Sequence, residues 1–200
     1  MDARDIKKGL ERVLDDYETD RDYLGMSKIS RCPRHWYQVL RKGYRPPSMQ
    51  TSRYAHEGYL HERDILERLA RAGLSVVNHN REIVASFDDR FRGHIDGELI
   101  NSTDGPDLLE VKSANDELYC AIVEAGQPAS AHLDQVQCYM RWGGYARTFF
   151  IYKARQTGEV WVLQVARDDT RGEALERRAR MILAAVDNQT PPACECGHCR

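Results

Sequence analysis

The sequence has no long hydrophobic run and no strong net charge, and both absences narrow the possible functions. No stretch is apolar enough to suggest a membrane-spanning helix, and the charged segment "MDARDIKKGL" does not resemble a secretory signal peptide. We therefore expect a cytoplasmic protein without a membrane partner. Because the formal net charge is −2, any affinity for nucleic acid must come from a local basic surface.

Two further absences concern chemistry. The sequence contains no phosphate-binding loop of the Gly-x-x-x-x-Gly-Lys type, so any DNA unwinding would belong to another protein. Disulfides are not expected either, since six cysteines in a cytoplasmic chain indicate reduced thiols or metal ligands. We interpret Cys120 and Cys138 as small apolar residues of helices.

The hydrophobic periodicity predicts an α/β fold with a mixed central β-sheet flanked by helices. The predicted order is helices, three strands, helices, two strands and a final helix. The second helix is expected to open near Ser27, a good N-cap residue, and the third to end at Gly73. The first three strands are predicted in "LSVVNHNREIVASF", "RFRGHIDGELI" and "DLLEVKSA".

Three charged residues interrupt two of these predicted strands. Because side chains alternate along a strand, pairing of the two strands would bring Asp96 and Glu110 together, with Lys112 on the same face as Glu110. Two adjacent carboxylates repel each other unless a cation neutralises them, and oxygen ligands suit Mg²⁺ or Mn²⁺. Lys112 would then act on a water or on a developing negative charge. The alternative is a solvent-facing Glu110–Lys112 ion pair on an edge strand.

Neighbouring helices offer further polar side chains. His61 shares a helical stripe with Gly58 and Ile65, so we expect it to face inward, as a metal ligand favouring Mn²⁺ or as a structural histidine. Gln135 and Tyr139 are spaced i and i+4 on one helix face. They would hold a phosphate or a water, or else satisfy a hydrogen bond in the core.

These motifs occur together in the order of a known nuclease family. They resemble the RecB-like branch of the PD-(D/E)XK nucleases over roughly residues 54–155, which implies a restriction-endonuclease-like core. The resemblance implies three groups of site residues: the metal ligands His61, Asp96, Glu110 and the carbonyl of Val111; the catalytic lysine Lys112; and Gln135 and Tyr139 as supports for substrate or water.

Four cysteines extend the resemblance beyond the core. One precedes it and three follow it, which is similar to CRISPR-associated exonucleases of the Cas-four type and to the nuclease domain of AddB-like helicase partners. In those families such cysteines hold an iron–sulphur cluster, so the resemblance implies a [4Fe–4S] cluster. The cysteines in question are Cys32, Cys194, Cys196 and Cys199.

The cysteine-rich tail departs from the pattern of those families. There, a Cys-x-x-Cys pair precedes a third cysteine several residues further on, whereas this chain reads "CECGHC". Either Cys194 replaces the later cysteine or the ligand set is incomplete. A Zn²⁺ site using Cys196, Cys199 and His198 is an alternative, as is a tail that binds nothing.

A basic stretch precedes the predicted core. Between Tyr23 and His56 there is no Asp or Glu, and aromatic residues alternate with the cations. Phosphate contacts and base stacking would suit single-stranded DNA or frayed ends, while the alternative is a solvated helix face with aromatic residues packed in the core. The predicted DNA-binding residues are Arg31, Arg34, Arg41, Lys42, Arg45 and Arg53.

Together these features predict three parts and one function. Residues 1–53 would form a helical segment carrying one cluster cysteine and the basic stretch, 54–166 the nuclease core, and 167–200 a helix with the cysteine-rich tail. We expect a metal-dependent DNA nuclease, acting as an exonuclease on single-stranded DNA or on DNA ends. The resemblance implies a role in CRISPR spacer acquisition, or in phage or recombination DNA processing, with an integrase complex or a helicase as partner.

Two alternative functions remain at this point. One is a catalytically silent DNA-binding or scaffold subunit stabilised by an iron–sulphur or zinc site. The charges of Asp96, Glu110 and Lys112 argue against it, because buried charge is costly to keep without a purpose. The other is a nuclease directed at RNA.

Overall fold

The computed structural model describes residues 4–7, 22–42, 49–100 and 105–199, without the side chains of 42 and 49–52. Most of the first helix, which the sequence predicts in "DIKKGLERVLDDY", lies outside these ranges, although residues 4–7 are helical. No helix in these ranges is long and apolar enough to cross a lipid bilayer. The longer helices are α1 (Pro33–Lys42), α2 (Met49–Arg71), α3 (Asp116–Ala125), α4 (Ser130–Gly143) and α5 (Asp169–Asp187).

The strands form two sheets. A three-stranded sheet has the order β1–β4–β3, and a five-stranded sheet has the order β2–β5–β6–β7–β8. The β1–β4 and β6–β7 pairs are parallel and the others antiparallel. The strands are β1 (Leu24–Gly25), β2 (Val76–Val77), β3 (Glu82–Val84), β4 (Phe91–His94), β5 (Gly97–Ile100), β6 (Pro106–Ala114), β7 (Arg147–Ala154) and β8 (Val160–Ala166).

Strand β6 occupies the middle of the five-stranded sheet. It pairs antiparallel with β5 and parallel with β7, and the parallel pair requires the long crossover that α3 and α4 provide. Asn115 caps the N-terminus of α3 by accepting the Leu118 backbone N–H at 3.0 Å. Most β6 residues are buried because both faces of the sheet are covered.

The two faces of β6 contact different cores. Leu108 belongs to the large core, which also contains residues of α4 and α5. Leu109 and Val111 point the other way and pack with Ile65 of α2. Glu110 and Lys112 lie on the Leu108 face by strand alternation.

Sequence-based predictions about element boundaries are wrong in three places. Helix α1 begins at Pro33 rather than near Ser27, because proline suits the first helical position and the Cys32 carbonyl accepts the amides of His35 and Trp36. The segment "RFRGHIDGELI" is not one strand. It divides at Ile95 and Asp96 into β4 and β5, which belong to different sheets.

The first predicted strand is also divided. In "LSVVNHNREIVASF", Asn78 and Asn80 adopt positive φ angles of 52° and 57°, a conformation that asparagine tolerates better than most residues. The chain therefore turns between β2 and β3, and these strands join different sheets.

Candidate active site

Asp96 lies between β4 and β5, opposite the middle of β6. Its Oδ2 accepts the backbone N–H of Val111 at 2.7 Å. The β5–β6 register pairs Gly97 with Leu109, so Asp96 falls opposite Glu110 as the strand pattern predicted. Gly97 is needed beside it, because a Cβ there would lie 2.6 Å from Cγ1 of Val76.

Glu110 is fully buried at the centre of the sheet. The Lys112 ammonium donates a hydrogen bond to its Oε1, and Nε2 of Gln135 donates to the same oxygen at 2.6 Å. Among the residues that the structure describes, the other oxygen, Oε2, has no hydrogen-bond partner. Leaving a buried carboxylate oxygen without a hydrogen bond costs free energy. The lack of a partner therefore makes Oε2 a candidate ligand of a cation.

Helix α4 supplies two further side chains to Glu110. Gln135 and Tyr139 are one turn apart and buried, and the Gln135 amide also donates to the Tyr139 hydroxyl at 3.3 Å. Gly93 of β4 allows this approach, since a Cβ there would lie 2.8 Å from the Tyr139 ring. Gln135 and Tyr139 therefore contact the site from the face opposite α2.

Helix α2 contributes a carboxylate that the sequence analysis missed. Burial, together with the negative charge of Asp96, raises the pKa of Glu62 to about 7. Glu62 lies three residues before Ile65 and four before Leu66, and both of these pack on the sheet. That spacing on the buried stripe was the available signal for Glu62.

His61 lies on the flank of the same helix. Its pKa is lowered by burial and by the positive charges of Lys153 and Arg155, while Glu57 and Asp64 act in the opposite direction. Lys153 itself donates to Oδ2 of Asp64 at 2.7 Å. The two cations that act on His61 therefore lie at the end of β7, whereas Glu62 interacts with Asp96 and Glu110.

The electrostatics show an excess of negative charge. Burial and the neighbouring Asp96 raise the pKa of Glu110 to about 8, and burial raises the pKa of Asp96. Burial alone would lower the pKa of Lys112, but Glu110 and Asp96 raise it. One lysine thus faces three carboxylates that it does not fully neutralise, and a divalent cation would supply the missing positive charge.

The residues present fit Mg²⁺ or Mn²⁺ in chemistry. Asp96, Glu110 and Glu62 are oxygen donors from three different parts of the fold, and Glu110 Oε2 is a buried oxygen with no hydrogen-bond partner within the described ranges. In the present geometry the Lys112 amine bonds Glu110 directly. The oxygen atoms of these carboxylates lie further apart than the four cysteine sulphur atoms described below.

Additional polar groups surround Lys112 and the α4 pair. His132 Nδ1 shares a hydrogen bond with the Tyr152 hydroxyl at 2.9 Å, and burial and the charge of Lys112 lower the pKa of His132 to about 4. On the other side, a cavity of about 150 Å³ reaches Gln135 and Tyr139. Arg92 and His94 line this cavity, and neither was identified from the sequence as a site residue.

The four predicted cluster cysteines come together. Their Sγ atoms all lie within 4.8 Å of one another, the only such group of candidate metal-binding atoms in the described ranges. The distance is 3.7 Å between Cys194 and Cys196 and 3.4 Å between Cys196 and Cys199. His198, the alternative zinc ligand, is not a member of this group.

The predicted DNA-binding residues have different surroundings. Arg31, Arg41 and Arg53 are exposed. Arg34 donates from Nε to the Pro192 carbonyl at 2.9 Å, so part of its guanidinium contacts the tail. The side chain of Lys42 and the whole of Arg45 lie outside the described residues.

Comparison with known proteins identifies the fold. The sequence matches no protein-family model and no curated protein. Among solved structures, an alkaline exonuclease (LHK-Exo) from Laribacter hongkongensis superposes with a TM-score of 0.69 at 15% identity, over 89% of this chain and 93% of that one. The same exonuclease in complex with dAMP gives 0.68 at 14% identity, over 90% and 93%.

A second solved protein has the same architecture. The structure of SSO0001 gives a TM-score of 0.61 at 17% identity, over 97% of this chain and 93% of that one. At these identities the likeness concerns the fold. The chain therefore has the restriction-endonuclease-like fold, with a mixed sheet flanked by helices, that the sequence resemblance implied.

Proposed function

We propose that this protein is a metal-dependent nuclease that hydrolyses phosphodiester bonds in DNA, acting from an end. The observation that carries the proposal is the buried Glu110, whose Oε2 has no partner in the described structure while Asp96 and Lys112 lie beside it. The fold, which a solved alkaline exonuclease shares, supports it.

The proposed ligands of the divalent cation are Asp96, Glu110 and the carbonyl of Val111. When bound, Mn²⁺ or Mg²⁺ supplies Lewis-acid activation of water and neutralises negative charge on the scissile phosphate. From α2 we include both His61, as the family resemblance implies, and Glu62, whose charge acts on Asp96. Mutagenesis of each residue separates these two contributions.

Lys112 and the α4 pair have distinct roles in this proposal. With its ammonium beside Glu110, Lys112 steadies negative charge that develops on the phosphate oxygens, or holds the attacking water. Gln135 donates to Glu110 Oε1 and Tyr139 accepts from Gln135. These contacts engage Oε1 and leave Oε2, the oxygen that would bind the cation, without a protein hydrogen bond in the described structure.

We propose a single strand or a frayed end as the substrate, as the family resemblance implies. The cavity beside Gln135 and Tyr139 measures about 150 Å³, which is enough for a phosphate group. Arg92 and His94 at its wall offer nitrogen donors to an anion. The solved complex of LHK-Exo with dAMP shows that a nucleotide binds to that protein, and we extend nucleotide binding to this chain as part of the proposal.

The proposal extends to a biological setting. The order of motifs and the positions of the four cysteines, one before the core and three after it, support a role in preparing DNA for CRISPR spacer acquisition, or in phage or recombination DNA processing. The partner would be an integrase complex or a helicase.

A cleavage assay tests the proposed activity. Three substrates would be incubated with the protein in Mn²⁺, Mg²⁺ or EDTA: end-labelled linear single-stranded DNA, closed circular single-stranded DNA and end-labelled linear RNA. We expect loss of the linear DNA alone, in the presence of either cation but not in EDTA. Cleavage of the circle would contradict action from an end, and cleavage of RNA alone would contradict DNA as substrate. Intact nucleic acid in every reaction would favour the catalytically silent binding subunit.

A further inference from the structure

The spacing of the four cysteine thiols distinguishes between the two metal groups that four cysteines commonly hold. All four Sγ atoms lie within 4.8 Å of one another, with neighbouring distances of 3.4 and 3.7 Å. Around a single Zn²⁺, metal–sulphur bonds of about 2.3 Å place tetrahedral sulphur atoms about 3.8 Å apart. The observed separations are of that size.

A [4Fe–4S] cluster requires a wider set of thiolates. Each cysteine binds a different iron at a corner of the cluster, so comparable bond lengths place the four Sγ atoms about 6 to 7 Å apart. The group of thiols within 4.8 Å is too compact for this arrangement. The cluster implied by the family resemblance therefore does not fit these cysteines as they stand.

Protein contacts hold the cysteine-bearing segments together without a metal. Arg178 of α5 donates to the carbonyls of Ile29 at 3.0 Å and Arg31 at 2.9 Å, just before Cys32. The same guanidinium binds both carboxylate oxygens of Glu195, at 3.1 and 2.7 Å. Since Glu195 lies between Cys194 and Cys196, Arg178 links both cysteine segments.

Two further contacts restrict the same segments. The Glu195 backbone N–H points at Cys32 Sγ at 3.4 Å, and Arg34 of α1 donates to the Pro192 carbonyl. Moving the Cys32 thiol outward would break its contact with the Glu195 backbone N–H. The other contacts hold the backbone of the two cysteine-bearing segments close together.

We propose that Cys32, Cys194, Cys196 and Cys199 bind one structural Zn²⁺ ion in place of an iron–sulphur cluster. Four thiolates saturate tetrahedral zinc and leave no position for water, so the ion has no catalytic role. It ties the N-terminus of α1 to the tail that follows α5, two segments far apart in the sequence. His198 is outside the ligand set. This inference rests on the cysteines and does not depend on the nuclease proposal.

Metal analysis of the full chain gives the first test. The protein would be expressed with both zinc and iron supplied and purified without oxygen, so that an iron–sulphur cluster would survive if present. We expect about one zinc per chain, negligible iron and acid-labile sulphide, and no broad iron–sulphur absorbance in the visible range. Several irons per chain with matching sulphide would overturn the proposal.

Cobalt substitution tests the ligand set without any use of activity. Metal-free protein titrated anaerobically with Co²⁺ should develop the intense visible bands of tetrahedral thiolate coordination, saturating at one ion per chain, and Zn²⁺ should then displace the cobalt. Octahedral spectra, or no stoichiometric binding of either ion, would contradict a four-thiolate site.

A pair of cysteine variants provides the matched comparison. Cys32→Ser should lose most of the bound zinc and melt about 5 °C or more below the wild type. Cys120→Ser, at an exposed cysteine outside the group, should change neither zinc content nor melting temperature. If Cys32→Ser fails to fold, Cys196→Ser at an exposed ligand tests the same loss of zinc. Full zinc content in the ligand variants would overturn the proposal.

Discussion

The two candidate metal sites of this molecule are built in opposite ways. The carboxylate site lies in the centre of the large sheet, where Glu110 and Lys112 come from one strand and Asp96 from the adjacent turn. The cysteine site lies near the surface and joins segments that are distant in the sequence. Sheet pairing holds the first, while arginine side chains and the thiols themselves hold the second.

This difference has an energetic consequence. Burial raises the pKa values of Glu110, Asp96 and Glu62, so the central site is under electrostatic strain that a cation would relieve. The sheet keeps these groups in place at that cost. The cysteine site has no comparable burial, and its binding energy can contribute to the stability of the fold. We therefore expect changes at the first site to affect catalysis and changes at the second to affect stability.

The largest expected effect is the loss of cleavage in Glu110→Gln. Glutamine keeps the shape of the side chain but removes the negative charge that would bind the cation, so cleavage should fall on the order of 10²- to 10³-fold. Single-turnover cleavage in Mn²⁺ measures this loss, and fluorescence anisotropy in EDTA should show nearly unchanged DNA binding. Glu124→Gln, at an exposed position of α3, is the matched control and should cleave normally.

A smaller effect, on Mn²⁺ affinity, is expected at α2. It shows whether Glu62 or His61 is the metal ligand from this helix. Because Glu62 acts electrostatically on Asp96 and Glu110, Glu62→Gln should weaken Mn²⁺ binding by about 10- to 100-fold. Calorimetric titration with Mn²⁺ measures the affinity, with Glu67→Gln as an exposed control on the same helix. A larger loss in His61→Asn than in Glu62→Gln would instead make His61 the dominant ligand.

At the cysteine site, removal of Arg178 should affect stability and spare cleavage. Arg178→Ala deletes the hydrogen bonds to Ile29, Arg31 and Glu195, and charged hydrogen bonds of this kind contribute about 1.5–3 kcal/mol. Urea denaturation should show a loss of that order in the free energy of unfolding. Arg177→Ala, whose side chain is 71% exposed, is the control. A variant with wild-type stability would contradict the anchoring role of Arg178.

A further expected effect is a pH dependence of stability that arises at the central site. The pKa of Glu110 is raised from 4.5 to about 8, so the metal-free folded state binds more protons than the unfolded state between these values. Glu110 therefore lowers the free energy of unfolding as pH rises through that window. Relative to Glu110→Gln, the wild type should lose stability from about pH 4.5 to about pH 8.

Thermal melting in EDTA at several pH values measures this difference. Buried histidines titrate in both proteins and cancel in the comparison. A stability difference that does not change with pH would contradict the raised pKa of Glu110.

The sequence was sufficient for the central strand and for the convergence of its charges. Alternation placed Glu110 and Lys112 on one face, and the observed register keeps Asp96 opposite Glu110. The split of the strand at Ile95 and Asp96 was not predictable from alternation, because apolar and polar residues continue to alternate across it while the hydrogen-bonded partners change.

Glu62 and the thiol geometry show where sequence reasoning was insufficient. Gly58, His61 and Ile65 suggested one helical stripe. The stripe that packs on the sheet instead includes Leu66 and Leu69, and Glu62 lies on it one turn before Leu66. The set of four cysteines was predicted, but their spacing depends on how α1 and the tail meet. That approach is governed by tertiary contacts such as those of Arg178, which leave no periodic signal in the sequence.

The most direct test of the central claim compares the wild type with Lys112→Met on end-labelled linear DNA at saturating Mn²⁺. Methionine has a similar length and volume but no charge, so it keeps the packing of the side chain. Because it also removes the buried partner of Glu110, circular dichroism at the same Mn²⁺ concentration must first show that the variant is folded. We predict that the wild type degrades the DNA and that Lys112→Met leaves it intact. Equal degradation by both proteins would contradict the assignment of Asp96, Glu110 and Lys112 as the catalytic centre.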